Sequence, residues 1–591
     1  GTVAIGYAAS QALTSGAGNL AIGYEALKVH TTGARNIAIG YGAMDDTDAG
    51  STSLGSTENI FIGKDSGGGT WADAASNYNV AIGNNTMDAA LNGALYNMAM
   101  GYNALGALTS GDSNVAIGHG AGYSVTTGGN NILIGRAAGD AHTALEGTVL
   151  IGHFAGSAIN NNNSNYSVMI GYSAGQAVTS GIGNNLIGYY AGRYLSTNGY
   201  NTMFGTETGA HMNGSSNTFI GYYTGRGSSN SAPYGNGNFN TAVGRQALET
   251  VFSGSYSTAI GYVAGRYATG SYNTFIGSQA GLGGTTSAPY SSGVHNVALG
   301  YNALAAFTTG EQNVAIGSSA ASNLTTGVYN TIVGNGAQSG TTGVNNTMIG
   351  RAAGASMTTA QKITAVGATT FNYLTVATDS TAIGYDAGEY ATGSYNTFVG
   401  SEAGKGGTTS APYSSGQYNT ALGYQALAGF TTAGGNTAMG YQAGAAITTG
   451  GNNVFIGKLA GDLLTTGTNN VVVGAGALGT ADGGERENIA IGQSAAGNIN
   501  NDSAIRNVFI GEYAGFGGTG ALNYSVAIGY RALDSTGTSG GASGTVAIGY
   551  YAGADITSGA ANTVIGYESG KALTTGGSNI SLGYQAHLAL V

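Results

Sequence analysis

The chain contains no cysteine, three proline and one tryptophan among its 591 residues. Without cysteine there is no disulfide framework, no thiolate metal site and no thiol nucleophile. With so little proline it is not a collagen triple helix, despite 109 glycines, because collagen needs glycine in strict thirds and abundant proline. Charge is also scarce: Asp, Glu, Lys and Arg make up 7% of the residues, against a usual ~25%. The 16 Lys and Arg against 27 Asp and Glu leave a net charge of −11, which argues against a basic groove for nucleic acid. No apolar run reaches the ~18 residues expected of a membrane-spanning helix. No charged-then-apolar opening segment resembles a signal peptide. A start at Gly1 rather than Met is expected of a processed form or a fragment. The apolar content of 42% separates the chain from charged disordered sequences.

Glycine is abundant, and it recurs in register. A run patterned on Asn-x-Ala/Phe-Ile-Gly, with substitutions, returns 33 times, from the glycine at position 6 to the one at 583. The commonest step is the one that separates Gly101 from Gly118 and Gly118 from Gly135. Many copies continue as Tyr-x-Ala-Gly or Tyr-x-Ala-Leu and then Thr-Thr-Gly. Taking the glycine that closes each run as an anchor, the residue before it is apolar in all 33 copies, and the residue four before it is Asn in 25. Short β-branched runs bounded by glycine read as strands, and no 3.6-residue apolar period supports a helix. A strand this short buries no core alone but does so when stacked as one coil of a solenoid. The expected fold is therefore all-β: a parallel β-solenoid, or β-roll, of about 33 coils with a ~17-residue repeat. One continuous domain over 1–591 is expected, with irregular insertion loops at 45–59, 64–79, 226–240, 282–296 and 405–419.

Stacking aligns like residues in columns. The Asn column, with Asn114, Asn131, Asn313, Asn330, Asn436, Asn453 and Asn470 as members, should form a hydrogen-bonded amide ladder. The anchor glycine should either adopt a backbone conformation closed to other residues or permit close packing. Successive strand residues face opposite ways, yet the two residues before the anchor are both apolar. The second residue before the anchor is expected on the outside. That column contains Phe61, Leu133, Leu150, Met169, Phe219, Phe275, Phe398, Phe455 and Phe509. Such an apolar stripe, if wet, marks an interface between copies of the chain. The alternative is a flattened monomeric coil with both columns inside.

The runs Asn114–Gly118, Asn313–Gly317, Asn419–Gly423 and Asn488–Gly492 resemble the head repeats of trimeric autotransporter adhesins. With the Thr-Thr-Gly turns they are also similar to phage tail-fibre shafts. The resemblance covers nearly the whole chain. It implies a left-handed roll wound as a homotrimer, at a cell or virion surface. The adhesin-head repeat is shorter than the one found here, and no heptad stalk, terminal membrane-anchor strands or C-terminal folding chaperone is visible in this sequence.

Function on a rigid repeat tends to sit in its interruptions. All three prolines lie in Ser-Ala-Pro-Tyr insertions, so Tyr234, Tyr290 and Tyr413 are candidate receptor contacts, with a loop packed on a neighbouring chain as the structural alternative. Trp71 is a further candidate, to stack on a sugar or to plug the core. Tyr follows the anchor in 16 copies, as an adhesive ridge or as structural glue. Asp45, Asp46 and Asp48 form a weak Ca²⁺ candidate. Catalytic signatures are not convincing: Gly171-Tyr172-Ser173-Ala174-Gly175 lies in repeat register, and Gly515, Gly517 and Gly520 lack a βαβ unit. No cofactor is expected. The sequence thus points to a non-catalytic extracellular fibre for host or surface attachment, self-associated as a trimer, with a cell-surface glycan or another surface receptor as partner. A structural filament is the alternative, and ice binding is a lesser one.

Overall fold

The computed structural model describes residues 1–47, 55–160, 164–227, 235–286, 290–338, 340–518, 522–535 and 542–588. They contain 33 strands of three residues each and no α-helix. The fold is all-β, a parallel β-solenoid whose regular coil returns to the same column after 17 residues, as from Asn114 to Asn131. Two compact units divide it, Gly1–Asn296 and Val297–Val591. The first runs from β1 (Val3–Ile5) to β16 (Thr274–Ile276), and the second from β17 (Val297–Leu299) to β33 (Ile580–Leu582). Within each unit every strand pairs in parallel with the next in sequence, and equivalent residues are aligned. In the first unit Val115, Ala116 and Ile117 face Ile132, Leu133 and Ile134. In the second, Thr437, Ala438 and Met439 face Val454, Phe455 and Ile456.

Three features of the repeat produce this stacking. The first is the amide ladder just before each strand. Asn131 Nδ2 donates to Asn114 Oδ1 at 2.9 Å, and Asn453 Nδ2 donates to Asn436 Oδ1 at 3.0 Å. Each Oδ1 also accepts the backbone N–H of the next rung, as Asn436 does from Asn453 at 2.9 Å. Asn330 and Asn470 bond in the same way to Asn313 and Asn453. These side chains are fully buried, so each rung satisfies groups that would otherwise cost about 1–3 kcal/mol apiece. The second feature is the anchor glycine. Gly118 has φ +133°, and a Cβ there would lie 2.6 Å from the carbonyl oxygen of Gly135 one coil on. Both the backbone conformation and the close approach therefore require glycine.

The third feature is a set of left-handed corners beyond those expected at the anchor glycine. The residue two after the anchor has positive φ even where it is not glycine, as at Asn103 (56°), Glu207 (50°) and Val263 (51°). So does the residue five before the anchor, as at Tyr78 (61°) and Tyr395 (61°). Side chains resist this region by about 1–2 kcal/mol each. Hydrogen bonds between coils compensate: Asn103 N donates to Asn84 O at 3.1 Å, and Tyr395 N donates to Thr378 O at 3.1 Å.

The core corrects the expected direction of the strand residues. In every strand after Val3–Ile5 the middle residue is buried, and its two neighbours are half-buried or exposed. Phe61, Leu133, Leu150, Met169, Phe219, Phe275, Phe398, Phe455 and Phe509 are all middle residues with no exposed surface. They fill the inside of their own coils and do not form an outer stripe. Their size is accommodated by a second position. All six phenylalanines are followed, six residues on, by glycine: Gly67, Gly225, Gly281, Gly404, Gly461 and Gly515. A Cβ at Gly225 would lie 2.5 Å from the Phe219 ring, and one at Gly67 would lie 2.6 Å from that of Phe61. Where the middle residue is Ala21, Ala99, Ala298 or Ala421, the same later position holds buried Leu27, Leu105, Leu304 or Leu427. The coil thus keeps its volume by exchanging large and small side chains across a narrow interior.

Candidate functional site

With the middle residue inside, the residues on either side of it form the outer face of each strand. In the first unit this face includes Thr202, Phe204, Ile220 and Ile260; in the second it includes Ile349, Ile383, Leu422 and Met439. Phe204 is 56% exposed, Met439 45% and Ile383 41%. The outer residue next to the glycine is apolar in all 33 copies, so the face is continuous within each unit.

Two columns of aromatic rings stand on the surface. One follows the anchor glycine. Tyr7, Tyr24 and Tyr41 stack at 5.1 and 4.9 Å, and Tyr550, Tyr567 and Tyr584 at 5.0 and 5.2 Å. All six are exposed, so in the single chain this column is a ridge of stacked rings. The other column lies five residues before the anchor, on a left-handed corner, and was missed in the sequence. Phe239, Tyr256, Tyr272 and His295 stack at 4.9, 5.1 and 4.8 Å, and Tyr395 and Tyr418 at 5.0 Å. Its signal was the ten tyrosines at that position. Charged members of this column pair with each other instead: Arg35 Nε donates to Glu58 at 2.7 Å, and Arg506 Nε to Glu487 at 2.6 Å.

Of the candidate receptor contacts, Trp71 takes the core-plugging alternative, and Tyr290 and Tyr413 pack on their own unit. Trp71 is fully buried, with its ring 5.7 Å from that of Phe61 and its Nε1 donating to Gly67 O at 3.0 Å. It is a core plug and not a surface contact. Tyr290 is half-buried and stacks on Tyr267 at 6.3 Å. Tyr413 is half-buried, 4.8 Å from Tyr373 and 6.2 Å from Tyr390. Both rings lie on tyrosines of their own unit. Tyr234 lies outside the described residues.

Asp48 also lies outside the described residues. Asp46 accepts a hydrogen bond from the Thr70 hydroxyl. Burial, then the neighbouring Asp46, Asp65 and Glu25, pushes Asp45 up to about 6. Burial and Asp65 raise Asp88 to about 6 as well. The stacking therefore groups Asp45 with Glu25 of the coil before and Asp65 of the coil after.

A tighter carboxylate group occurs in the second unit, where oxygens of Asp482, Glu485 and Asp502 all lie within 4.8 Å of one another. Glu485 and Asp502 are separated by about one coil of chain, which is the only mark of this group in the linear sequence. Glu485 is buried and raised by desolvation, and it accepts N–H bonds from Gly483 at 3.2 Å and Asn501 at 3.0 Å. His30 is also buried and held below its usual value by desolvation, between Thr47 at 3.0 Å and Asn36 at 3.1 Å. These interactions knit adjacent coils together.

No helix among the described residues is long and apolar enough to cross a membrane. No known family model matches the chain, and no curated protein matches it significantly.

Proposed function

We propose that this chain is a non-catalytic extracellular fibre for surface attachment, and that its copies associate through the outer strand face. The observation that carries the reading is that face: apolar beside the glycine in every coil, yet left half-bare by the single chain. Covering one such large side chain is worth about 1.5–3 kcal/mol when burial is complete, and tens of them act together. A continuous apolar surface of this extent marks an interface. Three copies is the count implied by the likeness of the Asn-x-Ala-Ile-Gly runs to trimeric adhesin heads and tail-fibre shafts, and the same likeness supports a cell or virion surface as its location.

The test is the solution mass of the chain and of an Ile260→Asp/Ile383→Asp variant, measured by light scattering after size exclusion. Both side chains point outward, so the coil itself tolerates the change. The wild type should have three times the 58.2 kDa of one chain, and the variant should fall to a single chain. A wild type with the mass of one chain overturns the reading. End-to-end threads without lateral association, seen in electron micrographs, would instead favour a structural filament.

A further inference from the structure

The surface column two residues after the anchor is interrupted in the first unit. It runs Asn103, Gly120, Ala137 and Phe154 over four successive coils. The small residues at Gly120 and Ala137 leave a hollow of about 270 Å³. Asn103 and Phe154 come from the coils at its two ends, and His119, Tyr123, Arg136 and Asp140 complete its wall. A Cβ at Gly120 would meet nothing within 4 Å, so the space is open.

Charges on this surface are paired in some places and left apart in others. Comparable acids and bases pair directly, as Arg226 does with Glu207 at 2.8 Å, Arg266 with Glu249 at 2.5 Å and Lys405 with Asp386 at 3.1 Å. Arg136 and Asp140 form no ion pair among the described residues, although both line the hollow. The Arg136 guanidinium stands 5.7 Å from the centre of the Phe154 ring and 3.4 Å from His153 Nε2. Asp140 is half-buried. A guanidinium, a carboxylate, an amide and two aromatic rings thus converge on one open space.

We propose that this hollow is a saccharide site that takes one neutral pyranose unit. The Tyr123 ring offers a negative face to the C–H side of a sugar, and Phe154, with the Arg136 guanidinium over its ring, closes the end of the hollow. The Asp140 carboxylate accepts hydroxyl protons, and the Arg136 guanidinium and Asn103 amide donate to ring and hydroxyl oxygens. The charges balance, which favours a neutral sugar. The volume falls below the ~300–1,000 Å³ of pockets for drug-sized ligands, so one ring is the unit read. Contacts this few give a dissociation constant on the order of millimolar, and associated copies lower the apparent value by avidity. The inference deepens the attachment reading and rests on it only for its biological setting, because sugar binding and oligomer mass are measured separately.

The experiment is saturation-transfer NMR and calorimetric titration of the full chain with a panel of neutral monosaccharides. At least one should bind with a dissociation constant near ~1 mM. Asp140→Asn should weaken it about tenfold or more, through loss of charge-assisted hydrogen bonds. Gly120→Asn should abolish binding by filling the hollow. Asn103 and Asn302 already occupy this column with φ 56°, close to the +65° of Gly120, so the fold should hold and the melting temperature should stay unchanged. If Gly120→Asn melts early, Asp140→Asn and Asn103→Ala carry the test. No binding by any sugar at about 50 mM, retention of binding in a folded Gly120→Asn variant, or tighter binding of a zwitterionic amino acid than of every sugar overturns the proposal.

Discussion

Asn453 shows how much one side chain does in this molecule. Its amide donates to Asn436 Oδ1 at 3.0 Å and to Gly467 O at 2.8 Å, while its own oxygen accepts from Asn470 N at 2.9 Å and Nδ2 at 3.0 Å. Asn453→Ala removes all four bonds and leaves the buried Gly467 carbonyl and Asn470 N–H without these partners, while Asn436 Oδ1 keeps the Asn453 backbone N–H. We expect a loss of about 2–4 kcal/mol, read as faster native-state hydrogen exchange in the flanking coils. Asn453→Ser should cost clearly less, because a hydroxyl keeps one acceptor for the next rung. Ser257 does this where it stands in the column: its Oγ accepts from Asn273 N at 3.2 Å. Asn at a fixed distance before glycine was visible in the sequence, because one residue type serves one hydrogen-bonding task in every coil. The left-handed corners were not visible. Two residues after the anchor they accept Asn, Glu and even Val, so no residue type marks that corner, while the tyrosines five before the anchor mark a column but not its backbone conformation.

Within the coil, the controlling relation is the exchange of volume between the strand centre and the position six residues later. Phe455→Ala should cost about 3–5 kcal/mol by leaving a cavity. Adding Gly461→Leu should restore much of that, because it converts the coil to the Ala–Leu arrangement of Ala421 and Leu427. A double-mutant cycle by denaturant unfolding checks this, and a favourable coupling above about 1 kcal/mol is the expected result. The same relation explains why the sequence reading faced the strands the wrong way. Two adjacent apolar columns do not by themselves say which is inside. The pairing of Phe with a later Gly, and of Ala with a later Leu, does say so, because only side chains sharing one interior compensate each other's size. The parallel stacking and the period of the coil were legible without that step, since the repeat spacing alone dictates them.

For the whole molecule, the period is the quantity that must be conserved. Removing residues 115–131, one full coil, joins Asn114 to Ile132 with every column in register. The shortened chain should keep its strand content and its melting temperature within a few degrees, by circular dichroism. Removing only 115–122 should disrupt the stack, because ladder, glycine column and core would then meet the wrong partners. Period and columns were readable from one sequence, but the candidate sugar hollow was not. It is defined by what Gly120 and Ala137 lack, between Asn103 one coil before and Phe154 one coil after. A reader of the linear chain sees four unrelated letters at that column. The acids at Asp482, Glu485 and Asp502 escaped notice for the same reason, since they become neighbours only after winding.

The rungs of the amide ladder also bear on synthesis. Asn131 reaches back to Asn114 and Asn470 reaches back to Asn453, each over 17 residues. Each turn finds its template in the turn made immediately before it. A nascent chain leaving the ribosome can therefore spool itself up from the first few turns, without waiting for its distant end, and the time to wind it should grow in proportion to its length rather than with the search for remote partners.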